Sequence, residues 1–182
     1  MLTILVQDQE FFNDFDSSFV RIPKTTLVLE HSLLSLSKWE SKWHKPFLSS
    51  DLRTREESID YIRCMTVTPN VDPMVYTALT PENIREINEY IDNPMTATTF
   101  STNPQARGSH SKQVITAEII YYWMISFQIP FECQKWHLNR LLTLIRVCEI
   151  KNSPKKKRKG KDLLSYQKAL NDARLERYHT NG

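Results

Sequence analysis

Glycine is nearly absent from this chain, with 3 residues in 182. That scarcity argues against a turn-rich all-β sandwich and against the Gly-rich loops whose backbone cradles phosphate. Neither GxGxxG nor GxxxxGK[ST] occurs. Cysteine is sparse too. Cys64, Cys133 and Cys148 are odd in number and widely spaced, which is no disulfide framework and fits a reducing compartment. The apolar start Met1–Val6 has no basic leader and runs into acidic residues, so no secretory signal is expected. Long apolar runs are also missing. Tyr121–Val147 is the most apolar and aromatic stretch, yet Gln128, Pro130 and Glu132 interrupt it, which excludes a membrane span. With 40% hydrophobic and 25% charged residues, what remains is a soluble chain able to build one core.

Charge is uneven. Seven of the 24 Lys and Arg residues fall in 151–161 (KNSPKKKRKGK), which holds no acid, so the rest of the chain has 17 basic against 21 acidic residues. The net charge of +3 is therefore a local patch on a mildly acidic body, and a global nucleic-acid-binding surface is not indicated.

The pattern along the chain is mainly α-helical, an α+β helical bundle carrying a short N-terminal antiparallel β-ribbon. LTILV (2–6) and TTLVLEH (25–31) are rich in Leu and β-branched residues and read as two paired strands around an acidic, aromatic insert. In SLLSLSKWESKW, Ser32 is a candidate N-cap, Leu33, Leu36, Trp39 and Trp43 share one helical face, and Pro46 ends the helix. TREESIDYIRCM opens with a capping box, Thr54 and Glu57, and buries Ile59, Ile62 and Met65 or Cys64. A short helix is expected from Pro73. TPENIREINEYID has Thr80 as N-cap, Pro81 at the first position and an Ile84, Ile87, Ile91 stripe. Residues 92–113 are a polar loop. One helix then runs from about Ile115 to Phe127, Pro130 breaks it, and a second runs from about Phe131 to Ile150. The expected organisation is a globular domain over 1–150 (β-ribbon 1–31, helical body 32–150), a basic linker over 151–161 and a helical tail over 162–182. The last two form a basic, partly disordered C-terminal arm.

Few residues suggest chemistry. Cys133 and His137 would sit one turn apart on the second helix, a spacing that suits half of a metal or thiolate–imidazole site. No CxxC or HxxxH accompanies them, so they read as a packed thiol and a surface or satisfied histidine. Glu56/Glu57 and Glu86/Glu89 read as solvated helix faces and not as acid–base pairs. No nucleophile, base and orienter come together, so no enzyme, catalytic residue, metal or cofactor is expected. The tryptophans Trp39, Trp43, Trp123 and Trp136 suit core packing, a partner groove or a stacking surface. PKKKRKGK fits a nuclear-import-like signal, a phosphate-binding arm or a solvated linker to which an acidic partner docks, the last being preferred.

Several blocks together resemble a known family. They are TTLVLEHSLLSLSKWESKWHKPFL, DYIRCMTVTPNVDP, NEYIDNPMTATTF, AEIIYYWMISFQIPFECQKWHLNRLLTLIRVCEIKN and ALNDARLERYHTNG. The chain over residues 25–182 resembles the tail assembly chaperones of long-tailed bacteriophages, although the run after Pro154 is more basic than that family would suggest. The resemblance implies a non-enzymatic protein in the cytoplasm of the infected bacterial host, absent from the mature virion. It implies two partners, the tape measure protein and the tail tube protein, and leaves room for self-association. Membranes and nucleic acid are not expected partners. The expected binding residues are Trp39, Trp43, Tyr122, Trp123 and Trp136 in a groove between the Ser32–Lys45 helix and the Ile115–Ile150 hairpin, together with Lys155, Lys156, Lys157, Arg158 and Lys159 of the basic arm. The alternatives are a structural tail or connector subunit, or a nucleic-acid-binding accessory protein using residues 151–161.

Overall fold

The computed structural model describes residues 1–13, 18–49, 53–100, 114–153, 167–172 and 174–175. The chain divides into two compact units, Met1–Glu149 and Ile150–Gly182. In the second unit, residues 167–172 and 174–175 are helical and exposed. The first unit is a mixed α+β structure, and the last helix described below runs three residues past its end.

Four strands open it. β1 (Leu2–Val6) pairs antiparallel with β4 (Thr25–Leu29), and β2 (Gln9–Asn13) pairs antiparallel with β3 (Ser18–Ile22). The outer pair is the expected one. The inner pair is not among the expected strands and lies in the acidic, aromatic insert between them. Val6 faces Thr25 and Gln9 faces Ile22, so Gln7–Asp8 lie opposite Pro23–Lys24 with no residue inserted on either side. The ladder lapses there because Pro23 has no N–H to donate. An Asp8–Arg21 ion pair at 2.7 Å spans the break. Burial alternates as a half-covered strand requires: Ile4, Val6, Leu27 and Leu29 face the core while Leu5 is exposed. The free edge of β4 is covered by the segment after α2. Glu30 donates its N–H to the Met65 carbonyl (2.9 Å) and Val67 donates to the Val28 carbonyl (2.8 Å).

The helices start where their caps predict. α1 (Leu33–Trp43) is capped by Ser32, α2 (Arg55–Met65) by Thr54 in a capping box with Glu57, and α3 (Pro81–Asp92) by Thr80. A 3-10 turn, Pro73–Ala78, begins at the expected proline with Asp72 as its cap. α1 stops on His44, whose left-handed φ of 51° turns the chain two residues before Pro46. α4 (Ala117–Ser126) and α5 (Leu138–Asn152) complete the fold. Each buries an i, i+3, i+7 stripe: Ala117, Ile120 and Met124 on α4, and Leu138, Leu141 and Ile145 on α5.

Two expectations change. The helix expected from Phe131 to Ile150 is a 3-10 turn, Phe131–Lys135, then an extended step, then α5. The step exists because His137 forms an antiparallel bridge with Ser32, and Leu138 donates its N–H to the His31 carbonyl at 2.7 Å. Pairing with the chain between β4 and α1 outweighs helix continuity at this point. Cys133 and His137 are thus not neighbours on one helix face. The second change is Glu57, which is buried and not solvated, because it closes its capping box and pairs with Lys45. Glu56, Glu86 and Glu89 are exposed.

Candidate functional site

The five rings expected to line one groove have separate fates. α1 packs directly on α2 through its two tryptophans. Trp39 is only 1% exposed, and its indole N–H donates to the Glu57 carbonyl at 2.9 Å. Trp43, one turn on and stacked against it, donates to Asp60 Oδ2 at 2.8 Å, while Lys42 pairs with Asp60 Oδ1 at 2.5 Å. Burial raises the Asp60 pKa, but the Lys42 and Trp43 hydrogen bonds more than offset it and the net shift is downward. Lys45 and the Thr54 backbone N–H likewise hold Glu57 below the usual carboxylate range. Both tryptophans therefore serve the α1–α2 joint.

α1 also meets α4 directly. The buried carboxylate of Glu40 accepts from the Phe47 N–H with one oxygen (2.8 Å) and from the Ala117 N–H with the other (2.7 Å). It thereby caps the first turn of α4, whose own Thr116 makes no side-chain cap. The cleft where the end of α1 meets the start of α4 is shallow and polar, lined by Glu40, His44, Lys45, Thr116 and Glu118, and carries none of the five rings. Trp123 and Trp136 are half-buried against the core, with the Arg140 guanidinium 4.3 Å above the Trp136 ring.

Tyr122 is different. It is 66% exposed, and Ile125, one turn along α4, is 62% exposed. Phe131 is 53% exposed just beyond the Pro130 corner, with its ring 6.4 Å from that of Tyr121. The outer face of α4 and the start of the 3-10 turn thus present large apolar side chains to solvent. Sequence reasoning found Tyr122 but missed Ile125 and Phe131. The signal was available: IIYYWMI carries apolar residues on every side, and a helix packed on one side must expose some of them. A second exposed aromatic group, Phe11, Phe12 and Phe19, lies on the β2–β3 hairpin, where Phe12 and Phe19 form a cross-strand edge-to-face pair 5.2 Å apart.

The histidine singled out in the sequence has a role in the fold. His137 is buried with His31, their rings 5.1 Å apart, where the ribbon, α2, α3 and α5 converge. His31 Nδ1 lies 2.6 Å from the Tyr61 hydroxyl, and His137 Nε2 donates to the Tyr90 carbonyl at 3.0 Å. Burial, then the charge of His137, then that of Arg53, pushes His31 down to about 3. Burial lowers His137 as well. Cys133 is a free, buried thiol. Among the described residues, no three His, Cys, Asp or Glu side chains form a group that could hold a metal ion. No helix among them is long and apolar enough to cross a membrane. Lys155, Lys156, Lys157, Arg158 and Lys159, and the loop over 101–113, lie outside the described residues.

No family model, curated protein or solved structure matches this chain. The functional reading rests on the exposed surface and on the sequence blocks already quoted.

Proposed function

We propose that this protein is a non-enzymatic assembly chaperone of a long-tailed phage, one that holds apolar helical stripes of the tape measure protein until the tail tube protein replaces it. The observation that carries the reading is the exposed apolar face of α4, with Tyr122 and Ile125 one helical turn apart and Phe131 beyond the corner. Burying a large apolar side chain is worth roughly 1.5–3 kcal/mol. Covering two or three of them supplies modest affinity, which suits a partner that must later be released. Recognition of a helix by such a surface uses anchors at the spacing that Tyr122 and Ile125 provide.

The test is co-expression of the chain with the tape measure protein, followed by affinity capture. Tyr122→Asp and Ile125→Asp alter exposed positions and should leave the circular dichroism spectrum unchanged. Each should cut capture by about tenfold, the loss expected for one unburied anchor. Capture that survives both substitutions would sink the proposal. A chaperone should also be missing from purified virions by mass spectrometry. Stoichiometric retention there would instead favour a structural tail subunit.

A further inference from the structure

A concave surface lies between α2 and α3. It encloses about 300 Å³, at the lower end of the range for ligand pockets (~300–1,000 Å³). Ile59 from α2 and Ile84 and Ile91 from α3 line it and are only half-buried. Among the described residues the wall is charged in one sense: Arg53 and Arg55 line it and no acidic residue does. Arg53 is held in place, its guanidinium 3.8 Å over the Phe47 ring and Nη2 donating to the Phe47 carbonyl at 2.6 Å. A guanidinium fixed in this way has lost its conformational freedom before any ligand arrives, which favours binding an anion. Ser58 and Asn88 add neutral hydrogen-bonding groups to the same wall.

We infer that this cleft binds an aliphatic helical segment bearing Asp or Glu beside its apolar residues, with the aliphatic side chains on the isoleucines and the carboxylates on Arg53 and Arg55. The charge of the wall selects that occupant: a basic or neutral segment would leave both guanidinium groups without a counter-charge. The inference rests on the reading of the protein as a polypeptide binder and gives the α4 face a second, charge-selective foothold on the same partner. Two weak sites on one chain raise affinity through effective concentration without a new strong contact.

The probe is a fluorescein-labelled synthetic helix with Leu at i, i+3, i+4 and i+7 and Glu elsewhere, titrated with the full chain by fluorescence anisotropy. Its twin carries Lys in place of Glu. The acidic helix should bind at least about tenfold more tightly than its twin, and added salt should weaken it. Arg55→Glu should cost about tenfold, and it should fold, because an acid in the first turn of a helix is favourable. Ile84→Lys should cost as much, with circular dichroism checking its fold. Equal binding of the two helices, or unchanged binding to a folded Arg55→Glu, overturns the inference. A dimer that Arg55→Glu dissociates would make a second copy the occupant and overturn it too. The two proposals fail separately. Tape measure capture lost in Ile125→Asp, with peptide binding indifferent to Arg55→Glu, removes the cleft and leaves the function. Charge-selective peptide binding that Arg55→Glu removes, in a chain that captures no tape measure protein, removes the function and leaves the cleft.

Discussion

A carbonyl holds His137 in one tautomer, and burial keeps its ring neutral. The Tyr90 carbonyl can only accept, so Nε2 carries the proton and Nδ1 of the neutral ring is a bare acceptor. That Nδ1 is buried without a hydrogen-bond partner. A second proton would put an unpaired charge there, in a ring whose centre is 5.1 Å from that of His31, itself buried beside Tyr61, Phe47 and Arg53. Tyr90 and Glu30 are the groups facing His137 from the other side, and Glu30 Oε1 is already taken by the Tyr90 hydroxyl at 2.7 Å. Both histidines therefore have folded pKa values below the unfolded value of about 6.5. The unfolded chain binds more protons below that pH, so the stability they contribute is complete above about 6.5 and falls as pH drops toward the folded values, about 3 for His31. The urea midpoint should be flat from pH 8 to about 7 and then decline. Each ring that stays neutral removes up to about 1.4 kcal/mol per pH unit. His31→Gln should flatten that slope between about pH 6 and 5. An equally steep slope in His31→Gln would show that other groups set the acid limit.

Among the elements, α4 ends in an unusual way. Gln128 has a φ of 54°, in the left-handed region. Its N–H bonds to the Ile125 carbonyl (3.1 Å), and the Ile129 N–H reaches back to Met124 (2.8 Å). That is a Schellman stop with glutamine where glycine is preferred, sealed by contact of the buried Ile129 and Met124 with the core. A left-handed non-glycine residue costs about 1–2 kcal/mol, so Gln128→Gly should stabilise the chain by roughly 0.5–1 kcal/mol after the greater entropy of the unfolded glycine is deducted. The melting temperature should rise by about 1–4 °C. A fall would mean that the Gln128 side chain makes a contact worth more than the strain. Helix starts were legible because the caps Ser32, Thr54 and Thr80 are local chemistry written within four residues. The β2–β3 pair was not, since Gln9, Glu10 and Asn13 give β2 the polarity of a loop and only the cross-strand partners Phe11–Val20 and Phe12–Phe19 explain its pairing. The break before α5 was illegible for a related reason. His137 leaves the helix to pair with Ser32, more than a hundred residues earlier, and no local pattern announces that. The candidate surface follows the same rule. Tyr122 was visible as an aromatic on an apolar helix, but which side of α4 would face α1 depended on Glu40 reaching the Ala117 N–H.

At the scale of the whole molecule, fold and charge reside in different parts of the chain. Among the described residues the buried core runs from Ile4 to Ile145, all within the Met1–Glu149 unit, and α5 ends at Asn152. Beyond Ser153 lie nine of the 24 basic residues but only three of the 21 acidic ones. A chain ending at Ser153 would keep the core and the whole of α5, yet its charge would reverse, 15 basic against 18 acidic residues. Because stability follows buried apolar contacts and surface charges contribute little, its melting temperature should stay within about 2 °C of the full chain, as differential scanning calorimetry would read. A drop beyond about 10 °C would mean that residues 154–182 help hold the core. If the melting temperature holds, the shortened chain separates two causes that the full protein combines. A partner still captured by it is held by the apolar face of α4 or the α2–α3 cleft. A partner lost with the arm was held by Lys155, Lys156, Lys157, Arg158 and Lys159, and its capture by the full chain should already fall steeply with salt.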